Sequence, residues 1–142
     1  MGDFLKVIVS PVVGMLKDLN KSRKLKRLIK QEMKSILQQL DNDTVRQNPS
    51  IALHISTGVY DANSACAIDP FSNSEAQTVT DFYSKLKILK EYDKQNEEIN
   101  KLHPGDPTIP QRLKHLGNLK ESVRTELIKL GKEILGNKST TP

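Results

Sequence analysis

The chain has 142 residues, a net charge of +5 and 36% apolar residues, with three Phe, three Tyr and no Trp. That length makes one domain rather than two, and the scarcity of aromatic residues leaves a core of Leu, Ile and Val, the composition of well-solvated helices. The single cysteine, Cys66, excludes an intrachain disulfide and a thiolate-cluster metal site, and it favours a reducing compartment.

The N-terminal segment is apolar but broken. Its best run, FLKVIVSPVVGML over residues 4–16, is interrupted by Lys6, Ser10, Pro11 and Gly14 and falls short of the roughly 18 to 20 apolar residues that span a bilayer. Asp3 ahead of the run and the lack of a small-x-small site after it argue against a signal peptide. Lys6 stands where myristoylation favours Ser or Thr. We therefore expect a short apolar segment over residues 1–11, a helical domain over 12–136 and a disordered tail over 137–142.

The first long helix is predicted over residues 12–40, with Pro11 in the first turn, where its missing N–H costs nothing. Leu25, Leu28, Ile29, Met33, Ile36, Leu37 and Leu40 recur at three- and four-residue spacing and make one apolar face. The Asp41-Asn-Asp-Thr cluster ends it, and a loop through Asn48-Pro49 follows. Residues 51–66 read as an irregular connection with a short helix over 57–65. Ile51, Leu53 and Ile55 alternate like a strand, but a lone strand has no partner in a helical chain.

A second long helix starts at Ser72 or Ser74, where a hydroxyl caps free amides and Glu75 suits the positive end of the helix dipole. Val79, Phe82, Tyr83, Leu86, Leu89, Ile99 and Leu102 form its apolar stripe, and the polar span 93–98 is expected to project past the core. His103-Pro-Gly-Asp-Pro cannot continue a helix. The third helix runs from about Pro110 to Leu135, with Thr108 as its cap and a near-heptad seam from Leu113 to Ile134, and it ends at Gly136-Asn137. The fold class is all-α: an elongated antiparallel three-helix bundle, up-down-up, with an additional short helix in the first connection.

No constellation points to chemistry, and we expect neither an enzyme nor a bound cofactor or metal. His54, His103 and His115 lie too far apart for a local metal motif. Asp41-Asn42-Asp43 opens like a calcium loop but lacks its glycine, and Ala52 stands where the glutamate belongs. Cys66, within Ser-Ala-Cys-Ala-Ile, reads as a small buried residue. The glycine-containing turns match neither a P-loop nor a dinucleotide fingerprint. Tyr60, Phe82 and Tyr83 read as packing between the short helix and the second long one.

The charge is the remaining signal. Residues 17–34 hold eight basic and two acidic residues, net +6, so the rest of the chain sums to −1. On a helical wheel Arg23, Arg27, Lys30 and Lys34 share a sector of about 60°, roughly 135° from the apolar face, with Lys21, Lys24 and Lys26 spread around the rest. Such a face is served by water, by lipid headgroups or by nucleic acid. Nucleic acid explains the charge but not the apolar run before it, and no aromatic residue interleaves the cations to stack on bases.

KLKRLIKQEMKSILQQL, then STGVYDANSA, then TDFYSKLKILKEY resembles a class of uncharacterised prokaryotic helical modules. In those a basic helix follows an N-terminal membrane segment, a Ser/Thr-x-x-x-Tyr turn comes next, and a long helix carries a Phe-Tyr pair. The resemblance implies a cytoplasmic helical domain close to a membrane, with no activity attached. The chain departs from that pattern in its short, broken apolar stretch. We expect a non-catalytic interaction module peripheral to a membrane. Its contacts with the lipid are Phe4, Leu5, Val7, Ile8, Val12 and Val13, and its contacts with the anionic surface are Lys21, Arg23, Lys24, Lys26, Arg27, Lys30 and Lys34. The alternatives are a partner protein, nucleic acid, or a second copy of the chain in a homo-oligomer.

Overall fold

The computed structural model describes the backbone of residues 2–136 and the side chains of residues 19–136. Helices α1 (Gly2–Gln39), α2 (Asn42–Gln47), α3 (Gly58–Ala62), α4 (Asn73–Asn100) and α5 (Ile109–Leu135) follow one another, with a one-turn 3-10 helix at Ile51–His54 between α2 and α3. None of the described residues lies in a strand. The alternation at Ile51, Leu53 and Ile55 thus belongs to a 3-10 turn and the extended residue after it, with Ala52 and Ile55 buried.

Three boundaries differ from expectation; the short helix expected over 57–65 is α3, which stops at Ala62. Helix α1 begins at Gly2 and passes through Pro11, which is therefore interior and not in a first turn. Asp41 does not simply end α1. Its carboxylate accepts the Thr44 amide at 2.7 Å and caps α2, a helix too short to show periodicity in sequence. The helix starts further along follow local chemistry. Ser72 and Glu75 form a reciprocal capping box at α4. At α5 the expected Thr108 cap makes no side-chain bond to the helix; Asp106 instead accepts both the Thr108 amide and its hydroxyl, at 2.8 and 2.6 Å.

The core gathers Ile29, Met33 and Ile36 of α1, Leu40 just past its end, Val79, Phe82, Leu86 and Leu89 of α4, and Leu127 and Ile134 of α5. Each such side chain contributes on the order of 1.5–3 kcal/mol by leaving water. Helices α4 and α5 make the most extensive pair, and α1 packs on α5. Gly131 lets α1 and α5 approach closely, since a Cβ there would lie 2.6 Å from Leu37 Cδ1.

The contacts also fix direction, and here the up-down-up expectation fails. Lys26 meets Glu75 and Glu32 meets Tyr83, so numbers rise together and α1 runs parallel to α4. Lys85 meets Glu126 and Asp93 meets Lys120, so α5 is antiparallel to α4. The reason lies in the connection after Leu40. A short loop makes antiparallel neighbours, but this connection is long and packs its way back. Ala52 lies against Asp93, Ile55 against Lys90, Tyr60 against Tyr83, and Cys66 and Pro70 beside Leu25. The chain regains the level of Lys26 before α4 starts.

Candidate functional site

The basic residues of α1 divide over two grooves. Arg23, Lys26, Arg27, Lys30 and Lys34 surround a shallow groove of about 350 Å³ with Gln31 and Leu135. Lys21 and Lys24 line a separate groove of about 410 Å³ with Leu25, Leu28, Cys66 and Pro70. Lys26, placed outside the basic sector by the wheel, joins it in the structure.

Lys26 and Lys30 are half-buried and Arg23, Arg27 and Lys34 are exposed. The Lys26 ammonium lies 3.9 Å from Glu75 and 5.4 Å from the centroid of the Phe71 ring, which orients its stem along apolar surface. Hydrogen bonds from the Ser72 hydroxyl and amide hold the Glu75 carboxyl below its ordinary range, and the charges of Lys26 and Lys30 add to this. Among the described residues Arg23, Arg27, Lys30 and Lys34 make no ion pair. Clustered cations with one acidic neighbour attract polyanions.

Two carboxylates tie distant parts of the fold together, and neither stood out in the sequence. Glu32, on the side of α1 turned away from the basic groove, accepts the Val59 amide at 2.7 Å, the Tyr60 amide at 3.2 Å and the Tyr83 hydroxyl at 2.8 Å. It thus ties α1 to both α3 and α4. The rings of Tyr60 and Tyr83 stack with centroids 3.9 Å apart. Burial, then the bond to Glu32, keeps the Tyr83 hydroxyl protonated far above the usual phenol range.

Asp93, expected within a projecting polar span, is instead 1% exposed. Its Oδ2 accepts the Ala52 amide at 3.0 Å, and the Lys120 ammonium forms an ion pair with Oδ1 at 2.8 Å. Lys120 also donates to the Pro49 carbonyl at 2.8 Å. Burial raises the Asp93 carboxyl above its ordinary range, and Lys120 opposes that rise. The signal for Asp93 was an acid at the spacing of the apolar stripe, four residues after Leu89.

Cys66, expected to be buried, is exposed, because the turn over residues 63–72 buries Ala67 and Phe71 in its place. His54, His103 and His115 are all exposed, and among the described residues no group of three or more His, Cys, Asp or Glu is arranged to hold a metal ion. No described helix is long and apolar enough to cross a membrane. The side chains of Phe4, Leu5, Val7, Ile8, Val12 and Val13 and the predicted tail at 137–142 lie outside the described residues. A scan against protein-family models and searches of curated proteins and solved structures give no match to this chain.

Proposed function

We propose that this chain is a non-catalytic helical interaction module that lies at an anionic membrane surface through α1, peripheral to the cytoplasmic side. In this reading the three long helices form an elongated bundle, with α5 antiparallel to the other two. The apolar residues Phe4, Leu5, Val7, Ile8, Val12 and Val13 enter the interface, and the basic groove holds headgroups. The observation that carries the reading is the set of cations Arg23, Arg27, Lys30 and Lys34, which make no ion pair among the described residues and sit on the helix that continues into the apolar segment. Leu19, between the two, is 51% exposed and extends the apolar character to the edge of the basic face. An apolar segment beside a polybasic patch is the pairing that peripheral membrane proteins use.

Near an anionic leaflet each basic side chain contributes about 1 kcal/mol, so removing three charges weakens attachment about 100-fold or more. Flotation with vesicles of phosphatidylcholine, with and without phosphatidylglycerol, tests this. The protein should float only with the anionic vesicles, and a variant carrying Arg23→Glu, Arg27→Glu and Lys30→Glu should remain at the bottom while keeping its helical signal. No flotation at low salt overturns the reading. Salt-dependent retention on nucleic acid in its place would assign the same face to a polynucleotide.

A further inference from the structure

Helix α1 runs from Gly2 to Gln39, so one helical register connects the apolar segment to the basic groove. At 100° per residue, every Phe, Leu, Ile, Val and Met from Phe4 to Leu19 except Val7 falls within an arc of about 180°. The centre of that arc lies within about 30° of the centre of Arg23, Arg27, Lys30 and Lys34. Val12, Met15, Leu16 and Leu19 follow Pro11, so a bend at the proline leaves their alignment with the cations intact. Lys6, Ser10, Gly14 and Lys17 fall outside the arc. So do all the acids of α1: Asp3, Asp18 and Glu32 share the opposite side within about 60° of one another. Two contacts of the fold agree with this register. Glu32 turns inward to the amides of Val59 and Tyr60, whereas Leu19, on the other side, is 51% exposed.

One face of α1, about 45 Å long from Phe4 to Lys34, is thus free of acids, apolar in its first half and cationic in its second. That combination selects the partner. A polynucleotide would satisfy the cations and leave the apolar half in water. A parallel second copy would set the cations of the two chains against each other. An anionic bilayer takes both halves at once, provided that the helix lies flat, because a steep insertion would carry Lys6 and Lys17 into hydrocarbon.

Resting on the peripheral attachment proposed above, we infer that α1 lies along the plane of an anionic bilayer. Val12, Met15, Leu16 and Leu19 then sit at the acyl boundary, Arg23, Arg27, Lys30 and Lys34 on the phosphates, and Gly14 and Lys17 on the water side. Two variants with the same change of charge test the orientation. Leu19→Glu puts an acid on the acid-free face, and Gly14→Glu puts one on the opposite side. In sedimentation with vesicles of phosphatidylcholine and phosphatidylglycerol, Leu19→Glu should weaken binding about tenfold or more, and Gly14→Glu by less than about fivefold. Leu19 stands outside the buried core, so both variants should keep the circular dichroism of the parent. Nitroxides placed one at a time from Val12 to Leu19 in a Cys66→Ser chain should report a depth in the bilayer that oscillates with a period of about 3.6 residues. Equal losses in the two variants, or a depth that grows steadily along the segment, overturn the flat orientation and leave attachment through α1 standing. No binding by the parent overturns both. A dimer in vesicle-free solution that Leu19→Glu dissociates would give the face to a second copy and overturn the inference as well.

Discussion

Replacing Lys120 by Met removes the charge facing Asp93 while keeping a long unbranched side chain. Asp93 is then left buried with a single hydrogen bond from the Ala52 amide, and the Pro49 carbonyl loses its donor. Removing one partner of a buried ion pair costs about 3–5 kcal/mol. The Lys120 side chain is 14% exposed, so the pair is not fully shielded from water, which places the loss near about 3 kcal/mol at neutral pH. For a chain of this size that lowers Tm by about 10 °C. Acid should partly restore the variant. Burial already holds the Asp93 carboxyl above 3.8, and loss of Lys120 raises it further. A folded-state value above the unfolded one means that the native state binds the extra proton. The stability Asp93 contributes is therefore complete below 3.8 and is lost as pH climbs through the raised value. The difference between variant and parent must shrink on acidification. Urea unfolding followed by far-ultraviolet circular dichroism, at about pH 7.5 and about pH 5, measures it. A difference under about 1 kcal/mol at the higher pH, or one that does not fall at the lower, refutes the assignment of Asp93 as an ionised group held by Lys120.

The two glycines of α5 should respond in opposite directions. Gly117→Ala should stabilise by about 0.5–1 kcal/mol, whereas Gly131→Val, forced against Leu37, should cost about 2 kcal/mol; denaturant midpoints separate them. Glu32→Ala should free the Val59 and Tyr60 amides, read as faster hydrogen exchange at those two sites than at the interior amides of α4 and α5; unchanged protection would show that Glu32 does not hold α3. Cys66 should react with a thiol reagent in the native state at the rate of an exposed thiol, and a rate limited by unfolding would place it inside after all.

Local rules were legible where the chemistry is local. The start of α4 near Ser72, the Pro104-Gly-Asp-Pro break and the buried positions Ile29, Met33, Ile36 and Leu40 are all written within a few residues of where they act. What escaped depends on distant partners. Asp93 looks like any surface acid until Ala52 and Lys120 are brought to it. Glu32 reads as one more charge on a charged helix, yet its oxygens are spent on α3 and α4. The direction of α4 escaped for the same reason, because the returning connection packs through Ala52, Ile55, Val59 and Phe71, four apolar residues with no shared period. The basic face was legible in part, since the wheel grouped four of its cations, but it could not show Lys26 leaning across Phe71 to join them.

The returning connection also governs the order in which the molecule can assemble. Asp93 and Lys120 meet across one short turn between α4 and α5, whereas Glu32 finds Tyr83 across 51 residues and Arg124 finds the Leu40 carbonyl across 84. Closing the longer loops costs more chain entropy before any contact repays it. Loop closure alone therefore favours forming the α4–α5 hairpin before α1 docks on it. The helix that carries the positive charge is also the one joined to the rest across the longest loops, so a surface that captures it pulls on the contacts whose closure costs the most chain entropy.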